Sequence, residues 1–197
     1  AQALPGRFTA RHLHWGGGSP TMLKAEDWLR LVEALRQAFD IAADAELAVE
    51  VDPRDTTEEY VAALAAAGVN RVSIGVQDFD ATVQAAVNRL QPFETVERVA
   101  NWLRQHGIGR LNLDLMYGLP HQTVARVTAM ADHAVKLTPS RVALFGYAHV
   151  PWMKSHQKLI DESALPGVDE RLAQYLAAAD VLIGHGYRAI GLDHFAL

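Results

Sequence analysis

The stretch Gly16-Gly17-Gly18-Ser19-Pro20 is where this sequence first offers backbone chemistry to a ligand. Three successive glycines let a chain turn tightly and bring its amides and carbonyls close to a ligand with no β-carbon in the way, and Ser19 is placed to cap a following helix. The stretch has neither the G-x-G-x-x-G order nor a lysine in a Walker-type frame, so a plain flexible turn is the alternative. His14, just ahead of it, reads as a core or sheet-surface histidine. Glu50 and Asp52 stand two residues apart, on one face of an extended strand, with Pro53 bending the chain behind them. A carboxylate there suits the two hydroxyls of a ribose, and the alternative is an ion pair with Arg54 or Arg71. Asp114 lies in the apolar frame Leu111, Leu113, Leu115 and Met116, where a buried acid needs a partner; it reads either as a site residue or as half of an internal salt bridge. Arg89 on its own reads as a solvated charge. His149 and His194 have the chemistry to bind metal or move protons, but no HExxH or comparable spacing accompanies them, so no metal ligand is assigned, and no catalytic residue is singled out.

These groups fall at the ends of short runs rich in branched and apolar residues at 11–15, 47–51, 71–76, 110–116, 141–147 and 187–192, which read as strands. Gly16 to Ser19 follow the first, Glu50 and Asp52 the second, Gln77 and Asp78 the third. Asp114 and Tyr117 belong to the fourth, Tyr147 and His149 to the fifth, Asp193 and His194 to the sixth. Between them the spacing predicts helices over 25–39, 57–67, 81–88, 95–106, 123–137 and 169–186. In the first, Trp28, Leu29, Leu31, Val32, Leu35 and Phe39 cover one broad face. Gly68, Gly107 and Gly186 stand where helices stop. Six strands alternating with helices make repeated βαβ units and a parallel sheet, and a partial barrel is favoured over an open doubly wound sheet. In a barrel the six strand ends converge on one catalytic face. The irregular region 150–168, with Pro151, Trp152 and Pro166, reads as an excursion above the sheet.

The 197 residues are 50% hydrophobic and 21% charged, the composition of one globular domain, 1–197, that folds without disulfide or zinc staples. A net charge of −5 with interspersed signs argues against nucleic acid as a partner. No apolar run reaches the roughly 18 residues of a membrane span and no signal-peptide pattern opens the chain, so the expectation is a cytoplasmic protein with no membrane partner. The cysteine count is zero, which removes disulfides, a cysteine nucleophile, thiolate zinc and any iron–sulfur cluster held by these residues.

Taken together, the ordered segments HWGGGSPT at 14–21, EVDPR at 50–54, NRVSIGVQDF at 70–79, NR at 88–89, NLDLMYGLP at 112–120, YAHVP at 147–151 and GLDHFA at 191–196 resemble the oxygen-independent coproporphyrinogen III oxidases, radical S-adenosylmethionine enzymes of haem synthesis. The resemblance runs from the first strand to the last residue, with Ser19 in place of a more usual threonine. It implies a partial parallel (β/α)6 barrel of radical-SAM type. It implies that Gly16, Gly17, Gly18 and Ser19 contact the methionyl part of S-adenosylmethionine and that Glu50 binds the same cofactor. Gln77, Arg89, Asp114 and Ala148 match further positions lining a site for one or two such molecules, which gives Arg89 a role its own surroundings do not. The implied reaction is oxidative decarboxylation of two propionates of coproporphyrinogen III to vinyl groups, giving protoporphyrinogen IX. In it a reduced 4Fe-4S cluster cleaves S-adenosylmethionine to a radical that takes a hydrogen from the substrate, with the cofactors carrying the chemistry.

The family holds its cluster with CxxxCxxC upstream of the glycine motif, and only fifteen residues precede Gly16 here. The chain is accordingly read as an internal fragment lacking the first strand and cluster loop, inactive alone, monomeric and dependent on an electron donor. The rival within the superfamily is a haem chaperone, which shares the glycine and Gly-Val-Gln motifs. A more distant rival is a cluster-free barrel enzyme using Asp114 and His149 as acid and base.

Overall fold

In the computed structural model, which describes residues 6–197, strands and helices alternate along the chain as the spacing predicts. The strands β1 (Thr9–Trp15), β2 (Asp40–Val51), β3 (Arg71–Gln77), β4 (Arg110–Tyr117) and β5 (Arg141–Gly146) are separated by α1 (Ala25–Ala38), α2 (Glu58–Ala66), the short α3 (Ala81–Ala86), α4 (Phe93–Gln105) and α5 (Val124–Lys136). After β5 come α6 (Val168–Gly184), β6 (Arg188–Ala189) and β7 (His194–Ala196). The architecture is mixed α/β, with a seven-stranded, mostly parallel sheet in the order β1-β2-β3-β4-β5-β7-β6. The sixth parallel strand expected at 187–192 is instead a hairpin. Gly191 interrupts the run, the Ile190 amide donates to the His194 carbonyl at 2.9 Å, and β7 lies antiparallel to both β5 and β6.

The chain forms two compact units, one running to Ile74 and including Arg98–Leu111, the other made of Gly75–Glu97 and Asn112–Leu197. In the first, β1 and β2 pair with Leu13 opposite Leu47 and Trp15 opposite Val49, and β2 pairs with β3. Leu47, Ala48 and Val49 are buried in succession, as in a parallel strand covered on both faces. α1 turns Trp28 and Val32 inward, and α2 turns in Tyr60, Val61 and Leu64. Asn70 fixes the start of β3 to β2: its amide nitrogen donates to the Ala45 carbonyl at 2.8 Å and its oxygen accepts from the Leu47 amide at 3.1 Å.

In the second unit β4 and β5 pair with Asp114 opposite Ala143 and Tyr117 opposite Gly146. Leu113, Leu115, Val142 and Leu144 form its sheet core. α5, capped by the Thr123 hydroxyl, packs against α6. The 150–168 excursion contains two short 3₁₀ turns, Ser155–Leu159 and Glu162–Ala164.

Candidate functional site

Each unit builds a site of its own around the end of its strands. In the first, Trp15 ends β1 opposite Val49, which brings the next residue, Gly16, alongside Glu50. The Glu50 carboxylate fills the space beside Gly16: a β-carbon there would lie 2.6 Å from Glu50 Oε1 and 2.7 Å from His14 Nε2. Glu50 Oε1 is 3.1 Å from His14 Nε2, and Oε2 accepts from the Gly17 amide at 3.4 Å. Gly17 and Gly18 follow with φ of +78° and +65°, a conformation that favours glycine, and their α-carbons face open space. The turn is anchored from behind. The Trp28 indole N–H donates to the Tyr60 hydroxyl at 2.8 Å, and that hydroxyl donates to the Pro20 carbonyl at 3.0 Å. Burial raises the Tyr60 phenol above its ordinary value, against the opposing effect of the Trp28 hydrogen bond. A cavity of about 250 Å³ opens here, lined by His14, Trp15, Gly16, Gly17, Ser19 and Trp28 among others.

The second unit holds a cavity of about 160 Å³ bordered by Gln77, Val87, Arg89, Met116, Leu119, Tyr147, Gln157 and Ile160. Arg89 is half-buried and donates from Nη2 to the Gly75 carbonyl at 2.8 Å. Tyr147 is buried, its phenol raised by desolvation, and its carbonyl accepts from Arg171 at 2.7 Å. The excursion closes over the cavity because Gln157 donates to the Ala148 carbonyl at 3.0 Å and accepts from the Val150 amide. His149 is 3.1 Å from Glu162.

The predicted residues thus divide between the units. Gly16, Gly17, Gly18, Ser19 and Glu50 share the first, while Gln77 and Arg89 border the cavity of the second and Ala148 contributes its carbonyl to the loop over it. Asp114 is half-buried on β4 and accepts from the Asn112 side chain at 2.7 Å. Two readings made from single residues are corrected, the Ser19 cap and the solvated Arg89. Ser19 precedes a 3₁₀ turn, Pro20–Met22, and its side chain makes no cap, its carbonyl accepting from Met22 instead. Of the two carboxylates, Asp52 makes the expected ion pair with Arg54, at 2.6 Å, while Glu50 lies against His14 and Arg71 pairs with Glu46. Arg89 is not a free surface charge, whereas His14 is a sheet-surface histidine, one of its two readings, exposed on β1 beside Glu50. The alternation rule carried the His14 signal, since His14 and Gly16 share a face of the strand. Tyr60 and Trp28 gave no such signal, because their hydrogen bonds join residues far apart in sequence. Among the described residues no group of three histidines and acids is placed to hold a metal ion.

The radical SAM superfamily model matches residues 1–134. The oxygen-independent coproporphyrinogen III oxidase of Bradyrhizobium diazoefficiens is 47% identical over 196 residues, covering 100% of this chain and 44% of that protein. An uncharacterised protein of Sinorhizobium fredii is 47% identical over 192 residues, covering 97% of this chain and 72% of its own length. Among solved structures, the coproporphyrinogen III oxidase of Escherichia coli, described as a radical SAM enzyme, superimposes with a TM-score of 0.92 at 40% identity, covering 95% of this chain and 43% of that one. The chain therefore spans less than half the length of the oxidases it matches.

Proposed function

The chain belongs to the radical SAM superfamily, and on that premise we propose that it is the S-adenosylmethionine-binding part of an oxygen-independent coproporphyrinogen III oxidase. Its substrate in this reading is coproporphyrinogen III, two of whose propionates leave as carbon dioxide to give vinyl groups in haem synthesis. The superfamily implies S-adenosylmethionine and a 4Fe-4S cluster, which together supply the radical chemistry when bound. The observation that carries the reading is the Glu50 carboxylate seated over the Gly16–Gly17 turn.

The first site fits S-adenosylmethionine. The bare backbone of Gly16, Gly17 and Gly18 and the Ser19 hydroxyl offer donors and acceptors to its amino and carboxylate groups. Glu50, steadied by His14 and the Gly17 amide, offers an acceptor to the ribose hydroxyls. In the second unit Gln77 and Arg89 supply polar groups to an otherwise largely apolar cavity, and Asp114 and Ala148 belong to the same cofactor site in this reading. The cluster does not fit these residues, which contain no cysteine to ligate it. We assign residues 1–197 to one catalytic core domain. The protein acts as a cytoplasmic monomer supplied by a separate electron donor; among the described residues no helix is long and apolar enough to cross a membrane.

Isothermal titration of the chain with S-adenosylmethionine tests this. Wild type binds, and Glu50→Gln weakens binding about tenfold or more, the scale of a lost hydrogen bond to a charged group. Failure of the wild-type chain to bind, or equal binding by Glu50→Gln, overturns the reading. Binding of haem in place of S-adenosylmethionine identifies the chaperone activity instead.

A further inference from the structure

The end of β3 makes a turn that residues other than glycine rarely make. Gln77 has a φ of +68°, and the Asp78 amide donates to the Val76 carbonyl at 3.0 Å, closing a three-residue γ-turn of the strained hand. Strain of this kind persists only where neighbouring contacts over-determine it, and it collects where a side chain must be aimed. The contacts here belong to the next residue. Asp78 is 1% exposed; its carboxylate accepts from the Asp80 amide at 2.7 Å through one oxygen and from the Gln122 side-chain amide through the other. Burial nevertheless pushes the Asp78 carboxyl above the ordinary carboxylate range.

Gln122 is buried too, and its bonds run in three directions. Its amide nitrogen also donates to the Met116 carbonyl at 2.8 Å, its side-chain oxygen accepts from the Leu119 amide at 2.8 Å, and its backbone carbonyl accepts from Gln174 at 3.0 Å. Gln174, fully buried on α6, in turn accepts from the Gly118 amide at 3.0 Å. Asp78 is thereby held to the turn after β4, and that turn to α6. The γ-turn folds the Gln77 amide back over Gly75, where a β-carbon would lie 3.1 Å from Gln77 Nε2 and 3.2 Å from Arg89 Nη2.

We propose that Asp78 is a positioning residue for the cavity of Gln77 and Arg89. Its clamped carboxylate holds the strained turn that aims the Gln77 amide, and so sets the affinity of the cavity for S-adenosylmethionine without touching the ligand. The ligand rests on the function proposed above, while the clamp stands on the geometry alone.

Two measurements separate these. Urea unfolding reads the clamp: Gln77→Gly relieves the turn and raises the midpoint in wild type, and the gain vanishes in Asp78→Asn, where the turn has already relaxed. No gain in wild type, or an equal gain in both backgrounds, overturns the inference. Should Asp78→Asn fail to fold, Gln122→Met, which removes the donor to Asp78, takes its place with the same expectation. Calorimetry reads the ligand. Asp78→Asn weakens S-adenosylmethionine binding about tenfold in wild type and adds nothing once Gln77 is glycine, because Asp78 acts through Gln77. An equal loss in both backgrounds places Asp78 elsewhere in the site and overturns the inference. A wild-type chain that binds no S-adenosylmethionine removes the proposed function and the affinity claim, and the urea cycle still decides the clamp.

Discussion

Position 16 is glycine because Glu50 occupies the volume a side chain would need. Gly16→Ala puts a β-carbon 2.6 Å from Glu50 Oε1, so the carboxylate must swing away from the Gly17 amide. Gly16 is exposed, so urea unfolding should show a stability change within about 1 kcal/mol, while calorimetry shows the affinity for S-adenosylmethionine falling more than about tenfold. A second residue-scale expectation concerns Tyr187, which is buried and donates its hydroxyl to the Pro139 carbonyl at 2.6 Å. Burial pushes this phenol from its ordinary 10.0 up to about 12. In that window the folded chain keeps a proton the unfolded chain has lost, so stability falls as pH rises from 10.0 to about 12. Tyr187→Phe removes this share of the decline, and the urea midpoint measured across the window checks it.

At the scale of elements, three caps mark where helices start: Thr57 for α2, Asp80 for α3 and Thr123 for α5. Asp80 accepts from the amides of Thr82 and Val83 and also pairs with Arg126 at 3.3 Å. Asp80→Ala is expected to cost about 1 kcal/mol in urea unfolding, the usual loss of a cap. The same logic explains what the sequence showed and what it hid. α1 was legible because Trp28 and Val32 recur at helical spacing, and β2 because consecutive apolar residues need cover on both faces. The seven residues of β2 before Leu47 were missed, since Asp40, Asp44 and Glu46 break any strand-like pattern and only pairing with β1 keeps them extended. The hairpin of β6 and β7 was missed because a strand of two residues carries no periodicity.

For the whole molecule, the glycine turn, Glu50, Gln77 and Asp114 were legible as unusual residue types at strand ends, and the family motifs added Arg89 and Ala148. The groups that hold them were not legible. Tyr60 lies 40 residues from Pro20, and Gln122 lies 44 from Asp78, so only the folded chain joins them. Tyr60→Phe tests one such tie: the Pro20 carbonyl loses its donor and the buried Trp28 indole its acceptor, with about 2 kcal/mol lost in urea unfolding and weaker S-adenosylmethionine binding by calorimetry. With no thiolate in 197 residues, incubation of this chain with iron and sulfide is expected to leave the visible absorption of a 4Fe-4S cluster undeveloped.

The tryptophans around the glycine turn give the protein an optical reporter. Trp15 and Trp28 both line the first cavity and stack edge to face at 5.3 Å, Trp28 almost wholly out of water and Trp15 partly in it. Trp152 stands 77% exposed on the excursion. A ligand settling in the turn dries the Trp15 ring and shifts its emission to the blue over the steady emission of Trp102 and Trp152, so occupancy can be followed by fluorescence without a label.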